Sequence, residues 1–274
     1  MQITGHLRKM ITTLGAPVQY RLPLDDERID MNALIGKAIQ LNYSGEIHCL
    51  ACGRKTNKSF NQGYCYPCFK HLAQCDSCII KPELCHYDQG TCREPEWGEQ
   101  HCLQDHFVYL ANSSAIKVGI TRGTQIPTRW IDQGACAALP VFRVKNRLLS
   151  GRIEVIMKQH VSDRTDWRKM LRSEPDDIDL ARERDKLFAI CKIEVDNLMA
   201  ESGANAVTRL ASETPVNIEF PVNSYPVKVS SFNFDKTPEI KGVLNGIKGQ
   251  YLILDSGVLN IRKFAGYRVS LRVG

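Results

Sequence analysis

Residues 107–167 read FVYLANSSAIKVGITRGTQIPTRWIDQGACAALPVFRVKNRLLSGRIEVIMKQHVSDRTDW, and the order of elements in this stretch decides the fold. Phe107 to Ala111 and Ile116 to Thr121 are rich in β-branched and aromatic residues, and the polar Asn112-Ser113-Ser114 joins them, so the pattern predicts a hairpin. A helix follows, with Thr124 as its cap, Pro127 in its first turn, Ile126, Trp130 and Ile131 on its buried side, and Gly134 at its end. Ala138 to Val144 is a third strand. It leads into a helix near Leu148 to His160, whose apolar stripe is Leu149, Ile153, Ile156 and Met157. The order is strand, strand, helix, strand, helix. His160 falls on the stripe and is expected in the core.

Upstream, residues 1–48 are β-rich. Gln2 to Leu7 and Val18 to Leu22 have strand character, Asp30 caps a short turn, and Lys37 to Tyr43 alternates before a turn at Ser44-Gly45. Downstream, residues 178–200 form a helix that buries Ala181, Phe188, Cys191, Val195 and Leu198. Residues 214–274 end in a meander with tight turns at Lys248-Gly249 and Asp255-Ser256-Gly257, a size that suits a small barrel. Ile35 to Ile47 and Ile247 to Leu259 share strand lengths and a Ser-Gly at the same offset. We read the two ends as one β part with the remainder inserted between them. The chain then divides into 1–48, 49–105, 106–175, 176–205 and 214–274, and the fold class is α+β.

Residues 49–105 carry the densest local signal. Cys49-x2-Cys52 and Cys65-x2-Cys68 each aim two thiolates at one point, and together they can close a tetrahedral zinc shell. Cys75, Cys78, Cys85 and Cys92 supply a second set of four, with Cys102, His86 and His101 as substitutes. A segment with so few large aliphatics cannot build its own core, and structural zinc can contribute on the order of 10 kcal/mol to folding such a segment. Four thiolates leave no open position, so both zinc ions are read as structural. An iron–sulfur cluster on the second set is the alternative. Phe60, Tyr64, Tyr66 and Phe69 either stack bases beside Arg54, Lys55, Lys58 and Lys70 or, the reading preferred here, pack the small finger.

The 274 residues are 43% hydrophobic and 24% charged, with no run of transmembrane length and no apolar leader in the first twenty positions. A cytoplasmic location is expected, where eleven cysteines favour metal over disulfides. The formal charge of +6 falls to about +2 if two zinc–tetrathiolate centres form. Its distribution is more telling: Val141 to Ser173 holds nine Lys/Arg against three Asp/Glu, and Glu174 to Asp185 holds six acids against two arginines. Arg262, Lys263 and Arg268 either add a basic edge for nucleic acid or, the reading preferred here, form a solvated sheet face.

With Phe107-Val108-Tyr109, Lys117-Val118-Gly119, Arg129 and Glu154 in these positions, residues 106–175 resemble the GIY-YIG nuclease superfamily. The whole chain is also similar to a bacterial family in which a cysteine-rich segment precedes this module. The resemblance implies a ββαβα module and hydrolysis of DNA or RNA with Mg²⁺ or Mn²⁺. Tyr109 and Lys117 would act near the attacking water, Arg129 on the phosphate, and Glu154 on the metal. Lys117 stands where many members carry tyrosine, and Gln133 stands where many carry histidine. A phenol needs nearby positive charge to act as a base at neutral pH, and Lys117 is the expected source. The alternative function is an inactive zinc-containing nucleic-acid-binding protein of the same fold.

Overall fold

The computed structural model describes residues 2–274. The first body begins with β1 (Gln2–His6), β2 (Ile11–Thr13), β3 (Gln19–Leu24), β4 (Glu27–Asp30) and β5 (Ala38–His48). Next come the cysteine-rich residues with β6 (Lys55–Thr56), α1 (Tyr66–His71) and α2 (Pro95–His101). The central body has β7 (His106–Asn112), β8 (Ile116–Arg122), α3 (Thr128–Asp132), β9 (Ala137–Val144) and α4 (Arg147–Met157). It continues with α5 (Trp167–Met170), α6 (Leu180–Ile190), α7 (Lys192–Ser202), β10 (Val207–Arg209) and β11 (Val216–Asn217). The chain returns to the first body with β12 (Glu239–Lys248), β13 (Tyr251–Leu254), β14 (Gly257–Asn260) and β15 (Tyr267–Val273).

Strands from both ends of the chain share one sheet, in the order β1-β15-β5-β12-β13-β14. Its centre is a pseudo-twofold. Leu41 of β5 pairs with Leu271 of β15, and the partners on either side exchange symmetrically. Around this point the molecule contains the same motif twice. Asp25 Oδ1 accepts from the His6 N–H at 3.1 Å, and Asp255 Oδ1 accepts from the Val243 N–H at 2.9 Å. The Gly36 N–H donates to Leu244 O at 2.8 Å, and the Gly266 N–H donates to Leu7 O at 2.8 Å. A single 3₁₀ turn precedes each of these glycines, Asn32–Leu34 in one copy and Arg262–Phe264 in the other. Gly36 and Gly266 have φ of +86° and +87°, which a side chain would strain. Leu7, Leu22, Leu24, Met31 and Leu41 are buried in the first copy, and Leu244, Leu252, Leu254, Ile261 and Leu271 in the second. The equivalence therefore pairs Leu24–Tyr43 with Leu254–Val273, a different register from the Ser-Gly match read in the sequence.

The sheet is open, not a closed barrel. The two-fold sends β3–β4 and β13–β14 to opposite flanks, and β2-β3-β4 forms a sheet of its own. Ser44-Gly45 is no turn: β5 runs through it, with Gly45 at φ +82°.

The central sheet has the order β10-β9-β7-β8, with β11 also on β9. Side chains alternate across its middle strand, β7. Val108 and Leu110 join a core with Leu149, Ile153 and Met157 of α4 and with Leu187, Val195 and Leu198 of α6 and α7. Tyr109 and Ala111 face the other way, into a core shared with Trp130, Ile131 and the duplicated body. The sequence-read helix from Thr124 is a 3₁₀ turn at Gly123–Gln125 followed by the five-residue α3, with Pro127 at its N-cap. The predicted helix 178–200 is kinked at Cys191, which stays buried where α6 meets α7. The second long helix ends at Met157, so His160 lies beyond it and is exposed rather than in the core. None of the described helices is long and apolar enough to cross a membrane.

Candidate active-site cleft and metal centre

A cleft of about 780 Å³ lies where the central sheet, the cysteine-rich segment and the duplicated body meet. Lys117, Arg129 and Glu154 line it together. β8 brings Lys117, α3 brings Arg129, and α4 brings Glu154 from the border of its buried stripe. Tyr109 lies behind them with no exposed surface.

The polar atoms are linked through Gln133. Its Oε1 accepts from Tyr109 Oη at 2.8 Å and from Lys117 Nζ at 2.6 Å. Tyr109 reaches this position because the residue paired with it on β8 is a glycine: a Cβ on Gly119 would lie 2.7 Å from Tyr109 Oη. Burial pushes the Tyr109 phenol up from its ordinary value, and the nearby Arg129 only partly opposes it. The expected lowering of Tyr109 therefore does not occur, because desolvation outweighs the positive charge. Burial lowers Lys117 to about 8, with Arg129 adding to the effect. Burial raises the Glu154 carboxyl to about 7, and the Asp163 carboxylate raises it further.

Several lining residues carried no sequence signal for this site. Arg122, Arg147 and Arg262 also face the cleft, as do Asp163 and Tyr64. Arg262 comes from the 3₁₀ turn of the second repeat copy, and its equivalent in the first copy, Asn32, holds the backbone of Val18 and Tyr20 instead. Lys9 and Asp132 form an ion pair at 2.5 Å on the same rim. Gln250 donates to the other Asp132 oxygen at 2.8 Å, so both carboxylate oxygens of Asp132 are engaged.

Cys49, Cys52, Cys65 and Cys68 converge, all four sulfurs lying within 4.8 Å of one another. Cys52 Sγ and Cys65 Sγ are 3.7 Å apart. Sulfurs about 2.3 Å from one tetrahedral ion stand about 3.8 Å apart, so the donor set fits zinc. Burial opposes the Cys49 thiolate, but the backbone N–H groups of Cys52, Cys65 and Ala51 prevail and hold its pKa at about 6. Burial and the other three thiols push Cys68 up. A dication would remove that mutual repulsion. Phe60 stacks on Phe69 at 5.7 Å and tilts against Tyr66 at 5.4 Å, so these rings pack the finger.

The second predicted set does not assemble as read. Cys75 is buried, and desolvation raises its thiol while a hydrogen bond with Asn61 opposes the shift. Cys78, Cys85 and Cys92 instead face a small cavity that Cys102 also lines. Burial raises Cys78 to about 11, and Asp76 and the neighbouring Cys85 and Cys102 add to it. Asp76, Cys78 and His86 also approach one another within 4.8 Å. His101 stacks on Trp97 at 4.3 Å, and its Nδ1 lies 3.0 Å from the Trp97 carbonyl.

A comparison with known protein families finds a match over most of the chain. The family described as "Protein of unknown function (DUF2797)" aligns with residues 36–269. The chain belongs to the DUF2797 family. The match begins just before β5 and ends within β15, so it takes in the cysteine segment, the cleft and the second repeat copy. No curated protein and no solved structure matches this DUF2797 chain.

Proposed function

We propose that the cleft hydrolyses phosphodiester bonds in nucleic acid with the help of a divalent cation, in the manner of the GIY-YIG nucleases. The observation that carries this reading is the meeting of Lys117, Arg129 and Glu154 on one cleft wall, with Tyr109 directly behind. The supporting sheet and helices follow the order strand, strand, helix, strand, helix.

The charges suit a phosphodiester. Lys117, Arg122, Arg129, Arg147 and Arg262 face the cleft against the carboxylates of Glu154, Asp163 and the already paired Asp132. Arg129 offers a planar fork of donors to phosphoryl oxygens. Glu154, with Asp163 nearby, is the carboxylate that would hold Mg²⁺ or Mn²⁺, since hard cations take one or two carboxylates plus waters and phosphate. Its raised pKa fits a site completed by a cation, which would favour the ionised form. Such an ion, when bound, neutralises charge on the phosphoryl and leaving oxygens.

The base is Lys117. Its amine, lowered to about 8, is neutral in a useful fraction near pH 8 and can accept a proton from the attacking water. Tyr109 stays protonated and fixes Gln133, which in turn fixes Lys117 Nζ. This assigns Lys117 the base role and makes Tyr109 a positioning residue.

Gln133 favours a second reading. It cannot exchange a proton, and it occupies both Tyr109 and Lys117. A cleft that only binds nucleic acid would tolerate this.

The deciding experiment is a cleavage panel with zinc-replete protein and Mg²⁺ or Mn²⁺. Single-stranded, duplex and branched DNA are run beside RNA, with Glu154→Gln and Arg129→Ala as controls. Cleavage by wild type that is lost in both variants is the expected result. Salt-dependent binding by all three proteins without cleavage establishes the binding reading instead.

A further inference from the structure

The second cysteine group has a problem that the fold does not solve with apolar packing. No residue between 49 and 105 belongs to any of the three hydrophobic cores among the described residues. From Ala73 to Gln89 the chain forms only single 3₁₀ turns, and Ile80 and Leu84 point into solvent. Yet this loop is held in one place. Gly151 of α4 admits Pro82 so closely that a Cβ there would lie 2.6 Å from the proline ring. Arg147 Nη2 donates to the Ile79 carbonyl at 2.6 Å, and the Arg147 N–H donates to the Cys102 carbonyl at 2.8 Å. Something inside the loop must fix its shape.

The candidates narrow quickly. Cys75 is buried and does not line the cavity that the other cysteines share. Asp76 is already satisfied: Oδ1 takes the Ser77 N–H at 2.5 Å, and Oδ2 takes Arg93 Nε at 2.8 Å. His86 Nε2 also lies 3.4 Å from that Oδ2, and its Nδ1 is 2.8 Å from the Thr91 hydroxyl. Both residues therefore have partners of their own. Four thiols remain on one small cavity, from Cys78, Cys85, Cys92 and Cys102. Gly98 lies against this space: a Cβ there would sit 3.1 Å from Tyr87 Cδ2 and 3.4 Å from Cys92 Sγ.

We propose that Cys78, Cys85, Cys92 and Cys102 hold a second structural zinc ion, with Cys102 in the place that spacing gives to Cys75. Four thiolate donors fill a tetrahedral zinc shell and so make a closed, non-catalytic site. The ion ties the 3₁₀ turns to the end of α2. It thereby fixes Ile79 and Pro82, which line the cleft together with Lys117. Asp76 and Arg93 form an ion pair beside the site, and His86 Nε2 lies next to the same carboxylate.

Metal content of the full chain, purified with zinc and measured by elemental mass spectrometry, tests the assignment. Wild type is expected to hold about two zinc ions, as two closed tetrathiolate sites require. Cys102→Ser is expected to drop to about one, while Cys75→Ser keeps both. A single zinc in wild type overturns the proposal, as does a loss in Cys75→Ser with Cys102→Ser unchanged. Iron and brown colour in wild type would equally refute it. If Cys102→Ser does not fold, Co²⁺ titration of wild type decides. Two equivalents with tetrahedral thiolate absorption support the site, and saturation at one equivalent rejects it.

Discussion

Gly119→Ala isolates the contact that lets Tyr109 reach Gln133. Gly119 is absent from the positive-φ residues, so alanine can adopt its backbone and only space is at issue. The added methyl would stand 2.7 Å from Tyr109 Oη and 2.8 Å from Cζ. Tyr109 is completely buried, so the ring has nowhere to retreat. Overpacking of this kind costs about 1–3 kcal/mol, and losing the bond to Gln133 adds about 1 kcal/mol. The expected loss is therefore about 2–4 kcal/mol in urea unfolding. The hydroxyl's share is separable by a cycle with Tyr109→Phe, which removes the hydrogen bond but keeps the ring. Gly119→Ala should then cost less in the Tyr109→Phe background, by about 1 kcal/mol, because that bond is already gone. A change under about 0.5 kcal/mol, or strict additivity, would refute the close approach as the reason for glycine.

Gly151→Ala should push Pro82 away from α4 and cost about 1–3 kcal/mol, with faster proteolysis of the cysteine-rich segment as the readout. Chelating the zinc of Cys49, Cys52, Cys65 and Cys68, or replacing Cys49 by Ser, should unfold the finger and release about one zinc per such site, followed with a metallochromic dye. His106 supplies a pH test. Burial holds its folded pKa at about 4, below the ordinary value, so its stability contribution is complete above about 6.5 and is lost as pH falls toward 4. The loss approaches about 3 kcal/mol, and His106→Phe should flatten that part of the stability profile. Asp255→Ala removes the acceptor for Val243 N–H, and Asp25→Ala removes the equivalent acceptor in the other copy. Each should lower stability by about 1 kcal/mol in thermal melts, and unequal losses would argue against equivalent roles.

The central sheet was legible because each strand is short, alternating and bounded by polar turns. The first metal centre was legible because two Cys-x2-Cys knuckles leave little choice of partners. The helix carrying Arg129 was legible only in outline. Local capping signals do not report that Pro127 would start a five-residue helix instead of continuing one from Thr124. The repeat escaped for a different reason. Leu24 and Leu254, Asp25 and Asp255, Gly36 and Gly266, and Leu41 and Leu271 correspond, but the segment joining the first strand to the hairpin is longer in the first copy. The Ser-Gly match drew the alignment to the wrong strand. Arg262 and Arg147 could not be assigned from sequence, because their placement depends on how distant bodies meet.

That meeting bears on what the cleft can be. One face of the central sheet belongs to its own helices, but the other, with Tyr109, Ala111, Trp130 and Ile131, shares a core with Leu22, Leu252 and Phe264 of the duplicated body. The site is therefore not a free-standing module with accessories attached. Its rear wall is the interior of the duplicated body, and Arg262 arrives from a turn of that same body. The two-fold supplies a turn at equivalent places in each copy, yet only the second carries an arginine to the cleft, while Asn32 in the first is used to brace Val18 and Tyr20. The duplication thus gives one copy a structural turn and the other a charged one. The charged copy is the one beside Lys117, Arg129 and Glu154, as expected if the cleft selects an extended polyanion that must be held beyond the reacting bond.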